Sequence, residues 1–321
     1  MKLISALAVV FLLFCSQAFS SPYRGGGSPI PAQAAAAGYK TNTFSIRNNF
    51  NTSTVDTHCT LASGFLAYNN NLNYGTCDYV GSGTVLNADG SAYVPTNSTM
   101  SSISRLTSPP YYVGNAFGGG GYFEAELFFN PAWAGPTNWP AWWLMSAEKL
   151  AADFGDQWPG QVTGYNHFME VDTMEFFAGS SRSYNSTLID WWGLYNTTCS
   201  KYCSLSTNSY PGSNTTYGVS NQGSISPVPK GTDWTGYHRY GVLWIPATVS
   251  TQGSYQFYFD DIPVGTKMLY SQYTTQSPPP TTSTPWTFGI GDQQHLAWLL
   301  GDLNVRSINV WQASAANNLH N

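Results

Sequence analysis

From about Asn42 onward the chain is a succession of short aromatic and β-branched runs, each closed by Gly, Pro or Asn, with no sustained helical apolar period. Leu127–Phe129, Phe176-Phe177, Gly241–Ile245 and Tyr255–Phe259 are examples. Runs of this length and chemistry suit a pleated, half-buried surface and are too short to be amphipathic helices. Composition keeps to one regime throughout, so a body of roughly 280 residues reads as a single large domain. The expected class is all-β, with two antiparallel sheets packed as a sandwich.

The N-terminus reads differently. Lys2, an apolar run Leu3–Cys15 and the small-x-small site Ala18-Phe19-Ser20 have the form of a secretory signal peptide, residues 1–20, cut after Ser20. The run is too short to span a bilayer. Residues 21–41, with Gly25–Gly27 and Ala34–Ala37, read as a flexible low-complexity leader, and 42–314 as the sandwich domain. Loss of Cys15 with the signal leaves Cys59, Cys77, Cys199 and Cys203. An oxidising compartment favours disulfides among them; three connectivities are open, and nearness in sequence favours Cys59–Cys77 and Cys199–Cys203. A zinc site fits poorly, because Cys199-x-x-x-Cys203 has no histidine nearby. Asn-x-Ser/Thr sequons begin at Asn51, Asn97, Asn185, Asn196 and Asn214 and are expected on surface loops. The C-terminus, Val310–Asn321, has no apolar tail of the kind a lipid anchor needs. A secreted protein of the extracellular space or cell wall is expected.

Charged residues make up 9% of the chain, against about 25% in an ordinary globular domain. A net charge of −5 with 12 basic residues offers no stripe for nucleic acid. Gly118–Gly121 is not followed by Lys-Ser/Thr, so it is no phosphate cradle, and there is no Gly-x-Ser-x-Gly or His-Glu-x-x-His. Scarcity makes the acids informative. Glutamate occurs only at positions 124, 126, 148, 170 and 175, and two of these lie in His167–Phe177 with Asp172 between them. Carboxylates are costly on a strand otherwise built from Phe, Met and Val.

Side chains alternate along a strand, so Glu170 and Asp172 share a face while Glu175 has the wrong parity. One extra residue in a β-bulge near Thr173–Met174 restores it, and bulges favour active sites. The two glutamate Cα atoms then lie about 13 Å apart, and side chains leaning inward bring the carboxyls to about 5–6 Å. A retaining glycosidase separates its two carboxyl groups by about 5–5.5 Å. Three close acids cannot all ionise cheaply, so one should hold its proton near neutral pH. Two plainer readings compete: a polar strand edge, and a calcium site. The second lacks the Asn, Gln or Gly turn of a loop that wraps an ion.

Glu170-Val-Asp172-Thr-Met-Glu175 resembles the Glu-x-Asp-x-x-Glu signature of glycoside hydrolase family 16, the laminarinase and lichenase type. Ser104–Ser108 followed by Gly121–Glu126 resembles paired strands upstream of that signature. Trp139-Pro-Ala-Trp-Trp-Leu144 is similar to the strand that precedes it. Tyr237–Trp244, Tyr255–Asp260 and Val305–Gln312 resemble later strands, so the likeness runs from about residue 100 to 312 and more weakly from about 42. One departure is that Trp158-Pro-Gly160 is separated from Glu170 by Gln161–Met169, which puts linkage preference in doubt but leaves the acids untouched. The resemblance implies a β-jelly-roll sandwich with a substrate cleft on its concave face. It also implies Glu170 as nucleophile, Glu175 as general acid/base and Asp172 orienting the nucleophile. The implied activity is a secreted endo-β-1,3(4)-glucanase acting with retention on β-glucan. It is expected to need no cofactor or metal, to act as a monomer, and to bind neither nucleic acid nor membrane. A cell-wall transglycosylase and a non-catalytic glucan-binding lectin are the alternatives.

Twelve tryptophans offer apolar faces for sugar rings, although sandwich cores use aromatics too. Trp139, Trp142 and Trp143 are candidate substrate-binding residues, and alternation sends one of the last two inward without saying which. The resemblance adds His238 as a sugar hydrogen-bonder or structural residue. His167 has the opposite parity to Glu170 and reads as structural. Glu124 and Glu126 share a face and read as a supporting pair on a strand beside the acid strand.

Overall fold

The computed structural model describes residues 29–56, 65–68, 84–95, 99–105, 112–129, 140–146, 165–176, 183–194, 224–228, 232, 236–246, 251–270, 295–300, 303–315 and 318–320. Residues 1–20, expected as a signal peptide, lie outside the described residues, as do Trp139, Cys59, Cys77, Cys199 and Cys203.

After a short helix α1 (Ala32–Ala36), the described elements are strands. They are β1 (Thr41–Arg47), β2 (Val55–Asp56), β3 (Phe65–Tyr68), β4 (Val85–Leu86), β5 (Ala92–Val94), β6 (Thr99–Ser101) and β7 (Ile103–Arg105). Next come β8 (Tyr112–Phe117), β9 (Gly121–Phe128), β10 (Ala141–Ser146), β11 (Tyr165–Glu175), β12 (Ser183–Leu194) and β13 (Ser224–Pro227). The last are β14 (His238–Ile245), β15 (Gly253–Phe259), β16 (Ile262–Tyr270), β17 (His295–Leu300), β18 (Leu303–Gln312) and β19 (Asn318–His320). One sheet runs β16-β15-β14-β9-β18-β5-β4, with β1 also on β18; the other runs β13-β12-β11-β10-β17-β6-β3-β2, with β8 on β17. Pairing is antiparallel except between β2 and β3. The architecture is the expected jelly-roll sandwich.

The two sheets close on one core. Phe123, Ala125 and Leu127 of β9 and Tyr240, Val242 and Trp244 of β14 meet Trp142, Leu144, Val171 and Met174 of the other sheet. The period-2 alternation read in the runs is the cause, since one parity of each strand is apolar and buried. The hairpin between β15 and β16 turns on Asp260 and Asp261, with φ of 47° and 66°, the two-residue geometry whose twist matches that of the strands.

Regular structure occurs on both sides of residues 42–314. The Ala-rich run expected in a flexible leader is α1, with Ala34 fully buried against the outer face of the β9–β18 sheet. Tyr39 follows, 6% exposed, and its hydroxyl donates to the Trp244 carbonyl at 2.9 Å. Low complexity misled because the small alanines let the segment lie close on Tyr122 and Trp311. At the other end β19, beyond residue 314, pairs with β8.

Candidate functional site

The acid strand β11 lies between β10 and β12. Across β12, Asp172 stands opposite Thr187 and Glu175 opposite Asn185, so Thr173 and Met174 together face Ser186. Across β10, Trp142 pairs with Met174 and the next residue, Trp143, pairs with Asp172. One extra residue therefore sits at Thr173–Met174, the bulge expected from the sequence. Its effect is on parity. Val171, Met174 and Phe176 enter the core, which turns Glu170, Asp172 and Glu175 together to the sheet's other face.

The three acids differ in burial. Asp172 is 3% exposed, whereas Glu170 and Glu175 are half-buried. Burial pushes the Asp172 carboxyl well above the usual carboxylate range, and the neighbouring Glu175 and Glu170 carboxyls add to the push. Asp172 shares side-chain hydrogen bonds with both. The central acid is thus built to keep a proton. The sequence anticipated a proton held within the trio but did not assign it, because side-chain depth is invisible in a strand pattern.

Trp142 is fully buried in the core, and Trp143, 6% exposed, takes the acid face directly across from Asp172. This resolves the pair that alternation left open. Two residues missed by sequence reasoning share this face, Asn185 opposite Glu175 and Thr187 opposite Asp172. Asn185, expected as a sequon on a surface loop, lies inside β12, paired with Glu175 of β11 on one side and Ile225 of β13 on the other. The signal was present in the apolar parity of Tyr184 and Leu188, both core residues. Of the other sequons, Asn51 begins a turn, while Asn97, Asn196 and Asn214 lie outside the described residues.

His238 is on β14, in the opposite sheet from the acids. Its Nδ1 lies 2.7 Å from Asp260 Oδ2 and its ring rests on Phe259 with centroids 4.8 Å apart. His167 is in β11 across from Trp192. Glu124 and Glu126 do not flank the acid strand: β9 belongs to the other sheet, between β14 and β18. They point outward from it, Glu126 to Arg306 and Glu124 to the Tyr122 hydroxyl at 3.3 Å, with Arg239 at 4.0 Å. Nor do the segments at Ser104 and Gly121 pair with each other, since β7 pairs with β8.

Solved structures with the same architecture include the endo-1,3-β-glucanase from Streptomyces sioyaensis, at a TM-score of 0.51 and 14% identity over 90% of this chain and 100% of that one. The shared feature is the fold. LamAcat from Zobellia galactanivorans (TM-score 0.42, 14% identity, 87% of this chain and 100% of that one) also matches. So does the laminarinase from Rhodothermus marinus (TM-score 0.41, 14% identity, 84% and 96%). Neither a protein-family model nor a curated protein sequence matches the chain.

Proposed function

We propose that this chain is a secreted β-glucan hydrolase of the glycoside hydrolase family 16 type, cutting β-1,3 or mixed β-1,3/1,4 linkages within the chain with retention. The observation that carries the reading is the bulge at Thr173–Met174, which gathers Glu170, Asp172 and Glu175 on one face with Asp172 hydrogen-bonded between the glutamates. The similar fold of an endo-1,3-β-glucanase supports it, as does the signature shared with that family.

In this reading Glu170 is ionised and Glu175 is protonated. A protonated Asp172 donates to Glu170 and accepts from Glu175, so three carboxyl groups carry one negative charge. Glu170 attacks the anomeric carbon as the glycosidic C–O bond breaks, and the Glu175 proton goes to the leaving oxygen. Glu175, now a carboxylate, takes a proton from water; the water oxygen attacks the anomeric carbon and frees Glu170. Two inversions give retention. In the same reading Trp143 and Asn185, which pair across from Asp172 and Glu175, bound the sugar nearest the reacting bond.

The test is incubation with laminarin, lichenan, xyloglucan and agarose, with product sizing and proton NMR of the first-formed anomer. Shorter β-anomeric products from laminarin or lichenan are expected. Products longer than the donor would make it a transglycosylase, and binding without turnover a lectin. Glu175→Gln should still bind glucan while losing turnover.

A further inference from the structure

The bulge that brings Glu175 to the acid face needs something to hold it. An inserted residue loses its regular place in the ladder, so its carbonyl requires another donor or is left buried without one. Here that donor is a side chain. Ser186 Oγ donates to the Thr173 carbonyl at 2.9 Å, wholly buried. Ser186 is the residue that faces the two bulged positions, between Thr187 opposite Asp172 and Asn185 opposite Glu175. Its parity is that of Tyr184 and Leu188, so the hydroxyl works from the core side, away from substrate. Thr173 is 1% exposed and its own hydroxyl has no hydrogen-bond partner, so the bulge's side chain contributes no polar anchor of its own.

We propose that Ser186 is a positioning residue for Glu175, its hydroxyl fixing the Thr173 carbonyl and thereby the bulge that sets the acid/base carboxyl against the nucleophile. The role rests on the hydrolase reading above. It acts on one acid more than the other: Glu170 and Asp172 precede the inserted residue and are held by regular pairing, whereas Glu175 follows it. A displacement of about 1 Å in a catalytic group costs on the order of 100-fold in rate.

Protonation of the leaving group matters for a sugar alkoxide and not for dinitrophenolate, which departs unaided. Ser186→Ala is therefore expected to lower kcat on laminarin or lichenan about 10- to 100-fold with KM little changed. The burst of dinitrophenolate from an activated aryl β-glucoside should persist near the wild-type rate. Ser186→Cys, close in size and a weak donor, should fall between and serves as the test if the alanine variant does not fold. Equal losses on both substrates, or no loss on the polysaccharide from an active wild type, would overturn the positioning role alone. A wild-type protein inert toward both substrates would instead sink the hydrolase reading on which it stands.

Discussion

Trp143 and Asp172 are cross-strand partners on the face turned away from the core, while Trp142, the adjacent residue, is buried in it. The two tryptophans should therefore fail in different ways. Trp142→Ala empties a core site and is expected to cost about 3–5 kcal/mol in urea unfolding. Trp143→Ala should cost less stability and raise KM for glucan or lower kcat more, read from steady-state kinetics on the purified folded variant. Equal loss of stability with unaltered kinetics for Trp143→Ala would contradict this division.

Asp172 holds its proton above the ordinary carboxylate range, so its effect on stability has a definite sign. The folded state keeps a proton that the unfolded chain releases above about pH 4, and stability from this group falls as pH rises beyond that point. Asp172→Asn should remove that part of the decline, flattening the pH dependence of urea midpoints. The same substitution keeps a donor for Glu170 and an acceptor for Glu175, so kcat should fall less than for Asp172→Ala, which removes both.

Glu124 gives a second, separable titration on the opposite sheet. Burial is the main cause of its rise from 4.5 to about 7, with Arg239 opposing it. Stability contributed by the protonated form is fully present below pH 4.5 and is lost as pH rises through about 7. That span is worth about 3 kcal/mol. Glu124→Gln should flatten stability between these limits and leave the pH profile of catalysis unchanged, as monitored by thermal melts and kinetics in the same buffers.

The N-terminal segment should behave as part of the domain. Tyr39→Phe deletes the hydroxyl that donates to the Trp244 carbonyl and should cost about 0.5–1.5 kcal/mol. Gly120→Ala should cost more. Its φ is +83° and a β-carbon there would meet the Tyr39 hydroxyl at 2.1 Å. Chemical denaturation of both variants checks the order.

How much could be read from letters alone follows from which interactions are local. The bulge at Thr173–Met174 was legible because three acids on one strand have a parity problem with a single one-residue solution. The sandwich class was legible from runs such as Tyr255–Phe259, which became β15. Sheet membership was not. Glu124 looked like a neighbour of Glu170, yet the jelly-roll winding joins β9 to β14 and β18, more than a hundred residues later in the chain. The Ala34–Ala37 run was opaque for a related reason: its partners, Tyr122 and Trp311, are distant in sequence, and only docking on them distinguishes a packed helix from a tether.

Asn185 carries the sequon Asn185-Ser-Thr, but in the folded chain its side chain shares a face with the carboxyl trio. An oligosaccharide attached there would stand where a glucan strand would lie. In a host that adds N-glycans to emerging chains, transferase and β12 pairing compete for this asparagine, and each molecule modified before the strand is paired is a dead one. Specific activity should then vary with the expression host, and replacing Thr187 by Val, which erases the acceptor motif and keeps Asn185, should make preparations uniform.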